Sequence, residues 1–208
     1  MLKTKIAVMV SGGGTNLQAL IDAAAAGKIP SGELTVVISG NSKAFALERA
    51  QKAGIPTAVV ERSRYEDQQA FEGAVIKVLE QYAADMIVLA GFMSILSGEF
   101  TAKYADRIIN VHPSLIPSFC GKGFYGLRVH EAALAYGVKV TGATVHYVNE
   151  VPDGGKIILQ KAVEVQEGDT PEVLQRRVME QAEWLILPRA TELVAALLQE
   201  KNNGNKVN

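Results

Sequence analysis

Asn110 and His112 are the residues whose types and spacing most directly suggest chemistry. One residue separates them, they follow the apolar pair Ile108-Ile109, and Pro113 comes next. In an extended strand, alternate side chains point to the same face, so both can reach one substrate atom. An amide donor beside a titratable imidazole is suited to an oxygen that becomes negative when a carbonyl carbon is attacked. The pair predicts catalysis at a carbonyl carbon.

Asp153 is a candidate third member of this site. It lies in the run Pro152–Gly155, and an Asp-Gly pair is typical of a tight turn, so a structural role is the simpler interpretation. If the fold brings its carboxylate beside His112, the charge favours the imidazolium ion and raises the pKa of His112. Spacing alone leaves both interpretations open.

A second candidate site is the glycine-rich run Ser11–Asn16, which follows the apolar run Ile6–Val10. Glycines let backbone N–H groups approach an anion, and the following helix adds partial positive charge at its N-terminus. No Gly-Lys-Ser/Thr follows, which excludes a Walker A loop, and the third glycine of a dinucleotide fingerprint is missing. A monophosphate ester is the predicted guest, and a plain tight turn is the alternative.

Other reactive residue types give weaker signals. His146, in an apolar strand-like run, faces a cleft or is a partnered structural residue, and His130 is expected at the surface or in a supporting position. Cys120 has no CxxC partner and is expected to be a small loop residue. No set of residues has metal-ligand spacing, and no Gly-x-Ser-x-Gly elbow indicates a serine hydrolase.

These residues must be positioned by alternating strands and helices. Apolar runs of strand length alternate with stretches of helical periodicity, which predicts a doubly wound, mostly parallel α/β sheet. The predicted strands are Ile6–Val10, Leu34–Ser39, Thr57–Val60, Met86–Ala90 and Ile108–Val111. The predicted helices are Leu17 to about Ala26, capped by Thr15 or Asn16, then Lys43–Ala53, Tyr65–Tyr82 and Gly98–Tyr104.

The alternation changes in the last third of the chain. Thr141–Val148 and Lys156–Val165 have no helix between them and predict an antiparallel hairpin added to the sheet. A terminal helix is predicted from Asp169 to about Gln199, with a possible break at Pro188. Residues 1–200 are therefore expected to form one domain.

Composition sets the remaining expectations. The chain has 48% hydrophobic and 21% charged residues and a net charge of −1, so attraction to nucleic acid or to an anionic membrane is not expected. A single cysteine cannot form an intrachain disulfide, and the apolar run near the N-terminus is too short for a membrane span. We expect a cytoplasmic protein, with residues 201–208 as a disordered tail.

Taken together, these motifs resemble those of the phosphoribosylglycinamide formyltransferase family, folate-dependent enzymes of purine biosynthesis. The resemblance covers essentially the whole chain and rests on the segments SGGGTNLQAL, LAGFMSIL, NVHPSLIPSF and DGGKIILQ. It implies transfer of a formyl group from 10-formyltetrahydrofolate to the amine of glycinamide ribonucleotide. Both are small molecules, no metal is implied, and the assembly is expected to be a monomer or a homodimer.

The resemblance also assigns roles to individual residues. Asn110, His112 and Asp153 match the catalytic trio, in which a protonated imidazole and an amide stabilise the oxyanion. Matching the ribonucleotide site are Gly14, Thr15, Asn16 and, across a one-residue insertion, Glu183. Matching the folate site are Met93, Ser94, Ile95, Leu96, Asn110 and Gln68.

The chain also departs from the family pattern. Ser94 and Gln68 stand where some members carry arginine near the folate tail, and Lys156 replaces a proline that often follows Asp-Gly-Gly. The run Gly121–Gly126 resembles an inserted glycine-rich loop, for which a lid over the site is a hypothesis. Two other functions stay open: a formyltetrahydrofolate deformylase that uses water as acceptor, and a non-catalytic module that binds a phosphate or nucleotide.

Overall fold

The computed structural model describes residues 2–204, in which strands first alternate with helices and then pair as a hairpin. The strands are β1 Thr4–Val10, β2 Gly32–Ser39, β3 Thr57–Val59, β4 Met86–Leu89, β5 Ile108–His112, β6 Val140–Tyr147 and β7 Ile157–Glu164. The helices are α1 Thr15–Ala25, α2 Phe45–Lys52, α3 Gln68–Gln81, α4 Gly98–Lys103, α5 Leu127–Tyr136, α6 Pro171–Val178 and α7 Trp184–Gly204.

All seven strands form one sheet, in the order β3-β2-β1-β4-β5-β6-β7. The pairs from β3 to β5 are parallel, whereas β5 pairs with β6, and β6 with β7, in antiparallel fashion. The predicted mostly parallel sheet with an added hairpin is confirmed. The strand order reverses between β1 and β4, and ligands of open α/β sheets bind beside the carboxyl ends of strands at such a point.

Two apolar layers cover the sheet, and β1 shows how the sequence assigns side chains to them. Ile6, Val8 and Val10 pack against α1 and α7, while Ala7 and Met9 pack on the other face with α3 and α4. Every one of these five side chains has no exposed surface. Burial on both faces explains why the strand is a continuous apolar run instead of an alternating pattern.

Two predicted details of the helices are wrong. Helix α1 has Gly14 at its N-cap with φ of +73° and no side-chain cap, so neither Thr15 nor Asn16 caps it. A left-handed cap residue is easy for glycine, which has no Cβ. The terminal helix does not break at Pro188, which lies inside α7; the irregularity is a π-helical turn at Met179–Glu183.

The end of the chain also differs from expectation. Helix α7 extends to Gly204, beyond the predicted end near Gln199, so residues 201–204 continue the helix. The rest of the predicted tail, residues 205–208, lies outside the described residues. Within residues 2–204, no helix combines the length and the apolar character needed to cross a bilayer.

The turn between β6 and β7 depends on close backbone packing. Gly155 follows the Asp153-Gly154 pair, and a Cβ added to it would lie 1.7 Å from the carbonyl oxygen of Tyr147. Tyr147 in turn donates its N–H to the Lys156 carbonyl at 2.9 Å. The turn can therefore keep its geometry only with glycine at position 155.

We predict that Gly155→Ala destabilises the fold by about 2–3 kcal/mol, because the turn must shift to admit the methyl group. The matched control is Gly73→Ala in α3, where an added Cβ meets nothing within 4 Å. That control should gain about 0.5–1 kcal/mol, as expected for alanine replacing glycine inside a helix. Urea unfolding of the three proteins measures both effects, and equal stability of Gly155→Ala and wild type would contradict this account of the turn.

Candidate active site

The pairing of β5 with β6 builds one polar face at the end of the sheet. Asn110 lies opposite His146 and His112 lies opposite Thr144, so all four side chains share that face. The β6–β7 turn then places the Asp153 carboxylate against both histidines. The structure therefore brings together the three predicted catalytic residues, and it adds His146 to them.

His112 makes a hydrogen bond on one side of its ring and lies close to a carboxylate on the other. Its Nε2 lies 2.9 Å from the carbonyl oxygen of Phe119, and its Nδ1 lies 3.4 Å from Oδ2 of Asp153. Because a carbonyl can only accept, Nε2 carries a hydrogen and donates it to Phe119. In a neutral ring, Nδ1 is thus the nitrogen with the lone pair, and it faces the carboxylate.

The net effect of the surroundings is a lower pKa for His112. Burial disfavours the charged ring, and this effect exceeds the opposing attraction of Asp153 and the Phe119 hydrogen bond; His146 lowers the pKa further. The expectation that Asp153 would raise the pKa of His112 above its ordinary value is therefore wrong in its sum. Asp153 acts in the expected direction, but the loss of water around a nearly inaccessible ring is the larger effect.

Asp153 stays ionised although it is largely buried. Burial alone would raise its pKa, but the contact with His146, the charge of His112 and the N–H of Gly121 together lower the pKa below its ordinary value. The Gly121 N–H donates to Oδ2 at 2.8 Å. Asp153 has φ of +56°, a left-handed conformation that non-glycine residues rarely adopt and that Asp adopts more readily than most.

His146 is the functional residue that the sequence did not resolve. It is 1% exposed, its Nδ1 lies 2.8 Å from the carbonyl oxygen of Tyr147, and its Nε2 lies 3.3 Å from Nδ2 of Asn110. It is therefore both a partnered residue and a member of the cleft. The register of β5 against β6 places His146 opposite Asn110, and this register cannot be deduced from the sequences of the two strands.

A cleft beside this cluster is lined by the segment that follows β4. Ser94, Ile95 and Leu96 line it together with Asn110 and Asp153. Met93 and Ile95 are exposed, and Leu96 is buried. The segment thus offers backbone groups and apolar side chains to a ligand next to the catalytic residues.

The segment after β4 is fixed from behind by α3. Gln68 donates to the carbonyl of Ile95 at 2.9 Å and to the carboxylate of Glu72 at 2.7 Å. The buried Glu72 also accepts both the N–H and the hydroxyl of Ser97. Both N–H groups of the Gln68 amide therefore have partners within the protein, and Gln68 helps to fix the conformation of this segment.

The glycine-rich loop leads to a second buried acid. Asn16, in the first turn of α1, donates from Nδ2 to the carboxylate of Glu183 at 2.7 Å. Burial raises the pKa of Glu183 to about 7, although the Asn16 hydrogen bond lowers it. The Oδ1 atom of Asn16 is buried and has no donor among the described residues. The acid and the loop are thus adjacent, as the predicted ribonucleotide site requires.

The π-helical turn Met179–Glu183 explains how Glu183 reaches the loop. A π turn accommodates one extra residue within an α-helix, and such bulges occur frequently at functional sites. The one-residue insertion before Glu183 was the signal available in the sequence. Glu183 is the last residue of this turn, its carboxylate contacts Asn16, and the helix continues as α7.

The two loops contact each other at the point where the strand order reverses. Ser11, at the end of β1, accepts the N–H of Met93 with its hydroxyl at 3.1 Å. The loops that follow β1 and β4 are thereby fixed relative to each other. A larger cavity of about 770 Å³ runs along α1 and α7, but none of the clustered side chains Asn110, His112, His146 and Asp153 lines it.

The remaining reactive residue types lie outside the cluster. His130 is 0% exposed, which excludes the first of its two expected places, the surface, and leaves the supporting position. Cys120 is partly buried and donates its thiol hydrogen to the carbonyl of Pro117, in keeping with a small loop residue. Among residues 2–204, no three His, Cys, Asp or Glu side chains are grouped so that they could hold a metal ion.

Comparison with known proteins decides the family. The sequence model of the family described as formyl transferase matches residues 4–191. A phosphoribosylglycinamide formyltransferase of Haemophilus influenzae is 42% identical over 184 residues, which cover 88% of this chain and 84% of that protein. The chain belongs to the phosphoribosylglycinamide formyltransferase family. The resemblance in the motifs is thereby confirmed.

The fold of this family member agrees with that of a solved relative. A glycinamide ribonucleotide transformylase from Symbiobacterium toebii matches with a TM-score of 0.87 and 42% identity, over 93% of this chain and 88% of that one. The trifunctional purine biosynthetic protein adenosine-3 of Bos taurus is 47% identical over 196 residues, or 93% of this chain. The chain spans about a fifth of the length of such trifunctional relatives.

Burial of His130 should make the free energy of unfolding depend on pH. Neither ring nitrogen has a hydrogen-bond partner, and burial, with a smaller effect of His112, lowers the pKa of His130 to about 4. Below the ordinary pKa of 6.5 the unfolded chain binds a proton that the folded chain refuses until about pH 4. Wild type should therefore lose about 2 kcal/mol between pH 7 and pH 5 relative to His130→Leu. Denaturant unfolding at both pH values measures this; equal losses in both proteins would contradict it.

Proposed function

We propose that this chain transfers the formyl group of 10-formyltetrahydrofolate to the amine of 5′-phosphoribosylglycinamide in purine biosynthesis. The observation that carries the proposal is the convergence of Asn110, His112 and Asp153 at the end of β5, in a chain of this family. The attacking group is the amine of the substrate, so the protein needs no nucleophile of its own. Its tasks are to align two substrates, stabilise an oxyanion and move a proton.

Asn110 is the donor that we assign to the oxyanion. As the amine attacks, the formyl oxygen gains negative charge, and an N–H fixed in advance stabilises that charge without reorganisation. One N–H of the Asn110 amide faces His146, and the second serves the formyl oxygen. A single donor of this kind lowers the activation barrier by about 3–4 kcal/mol, which raises the rate by 10²–10³.

His112 and Asp153 carry the proton. Because the pKa of His112 is lowered, the ring is neutral near pH 7, and Nδ1 holds the lone pair that can accept a proton lost by the amine. The Asp153 carboxylate lies beside the path of this proton, which reaches Nδ1 directly or through a water. The imidazolium formed in this step is stabilised by that carboxylate at 3.4 Å. His112 thus begins as a base and acquires its positive charge as the amine adds, and it returns the proton to the folate nitrogen as the bond from that nitrogen to the formyl carbon breaks.

We assign the formyl donor and the formyl acceptor to the two loops that follow β4 and β1. We assign the folate to the cleft lined by Ser94, Ile95 and Leu96, with the exposed Met93 at its edge. Gln68 acts on this site indirectly, since its amide N–H groups are used to hold Ile95 and Glu72. The proposal requires no metal.

The ribonucleotide is assigned to the glycine-rich loop. Gly14, Thr15 and Asn16 lie at the N-terminus of α1, where backbone N–H groups without helical partners suit a phosphate. The carboxylate of Glu183 and the unpaired Oδ1 of Asn16 suit hydroxyl groups of a ribose. We place the reaction in the cytoplasm, with no nucleic-acid or membrane partner, and in a monomer or homodimer.

The reaction itself tests the proposal. Purified protein is mixed with both substrates, and deformylated folate is followed by absorbance. Turnover that requires the acceptor is expected. Turnover without the acceptor would indicate a deformylase, and binding without turnover would indicate a non-catalytic module.

We predict that His112→Ala and Asp153→Asn each lower turnover by about 10²–10⁴-fold, the usual range for a group that moves a proton in the transition state. Ribonucleotide binding, measured by calorimetry, should change little, because both residues lie away from the glycine-rich loop. In wild type, kcat/KM should fall on acidification below the ordinary pKa of histidine, since a protonated His112 cannot accept a proton. A near-normal rate in either variant would remove that residue from the mechanism.

Glu183 predicts a second pH effect, on binding. With a pKa of about 7, its carboxylate is mostly protonated at pH 6 and mostly ionised at pH 8. An ionised carboxylate accepts stronger hydrogen bonds from ribose hydroxyls, so ribonucleotide affinity should rise by about tenfold over this range. In the control Glu183→Gln, only the smaller effect of phosphate ionisation should remain. Identical pH dependence in both proteins would exclude contact between Glu183 and the ribose.

A further inference from the structure

His146 lies inside the reacting cluster, yet the proposed mechanism gives it no task. Its side chain is buried between Asn110 and Asp153, and the pairing of β5 with β6 sets it opposite Asn110. The pairing of β6 with β7 shifts register between Val145 and His146. The extra residue at this shift is Ile158 of β7, and irregularities of this kind are common next to active sites.

The hydrogen bonds of the ring determine which nitrogen carries the hydrogen. Nδ1 lies 2.8 Å from the Tyr147 carbonyl, which can only accept, so Nδ1 carries a hydrogen. In the neutral ring, Nε2 therefore has a lone pair. That lone pair points to Nδ2 of Asn110 at 3.3 Å and can accept one of its N–H groups.

The orientation of the Asn110 amide depends on this lone pair. With Nδ2 toward His146, the second N–H of the same nitrogen is directed away from the ring and can donate to a substrate oxygen. In the flipped amide, Oδ1 would face the Nε2 lone pair, and an oxygen would occupy the position of the donor. Two acceptors in contact inside a buried site repel each other, and an amide oxygen cannot stabilise an oxyanion.

We propose that His146 is a positioning residue for formyl transfer: its neutral Nε2 fixes the Asn110 amide with a donor toward the formyl oxygen. The inference rests on the proposed function. Nε2 also lies 3.5 Å from Oδ1 of Asp153, a contact that only a protonated ring could make as a donor. The two contacts are alternatives, because a nitrogen with a hydrogen cannot accept from Asn110.

The two amide substitutions at this position form a matched pair. Gln places its terminal amide where Nε2 lies and can still accept from Asn110, whereas Asn reaches only the position of Nδ1 and the Tyr147 carbonyl. We expect His146→Gln to keep kcat within about threefold of wild type and His146→Asn to lower kcat by about 10- to 100-fold. The KM for both substrates should stay constant, since the lost interaction is made in the transition state.

A purely structural role would give a different result. Both variants would then lose stability and activity together, so thermal unfolding is measured for each. Equal kcat values for His146→Gln and His146→Asn, or losses that track stability, would overturn the proposal.

The ring can also be examined without any activity. Nitrogen-15 NMR of histidine-labelled protein should show His146 as the neutral ring with hydrogen on Nδ1 at the pH of the assay. A hydrogen on Nε2 at that pH, in a neutral or a charged ring, would overturn the inference. If instead wild type transfers no formyl group while the NMR result holds, it is the proposed function that fails, and the hydrogen-bond assignment stands.

Discussion

The site depends on one buried carboxylate that two imidazole rings share. Asp153 lies 3.4 Å from His112 and 3.5 Å from His146, and it also accepts the N–H of Gly121. A carboxylate taken out of water is costly unless hydrogen-bond donors or positive charge compensate it; here the Gly121 N–H does so, and so does the imidazolium that His112 is proposed to form during the reaction. Each partner comes from a different part of the chain, so one charge imposes conditions on β5, β6, the turn before β7 and the loop after β5.

These conditions explain why the hairpin is antiparallel where the rest of the sheet is parallel. An antiparallel neighbour places residues directly opposite one another, which sets His146 beside Asn110. The short connection then returns Asp153 to the same edge, at the cost of a left-handed backbone at Asp153 and a glycine at position 155. A parallel crossover would need a helix between the strands and would carry the acid away from the edge.

Much of the fold could be predicted from sequence because strands that are buried on both faces have continuous apolar runs. Ile6–Val10 and Met86–Ala90 indicate central strands whatever their partners. The predicted pair Asn110 and His112 was also accessible, since the two are alternate residues on one strand, whereas Asp153 joined them only through the family resemblance. The role of His146 was not, because it depends on the register between strands about 35 residues apart, and register is a property of the assembled sheet.

The charge state of His112 shows a second limit of the sequence. The attraction of Asp153 could be anticipated, but the amount of water removed from the ring could not, and that is the larger influence. The outcome changes the chemistry from a charged donor at the start to a base that becomes charged.

Such a base works only if the amine is held next to it, and the fold provides for this in the loops after β1 and β4. Their contact, from Ser11 to Met93, ties the region assigned to the ribonucleotide to the region assigned to the folate. Alignment of two substrates is worth several kcal/mol of barrier, so in the proposed reaction this hydrogen bond between loops would serve alignment as well as the fold.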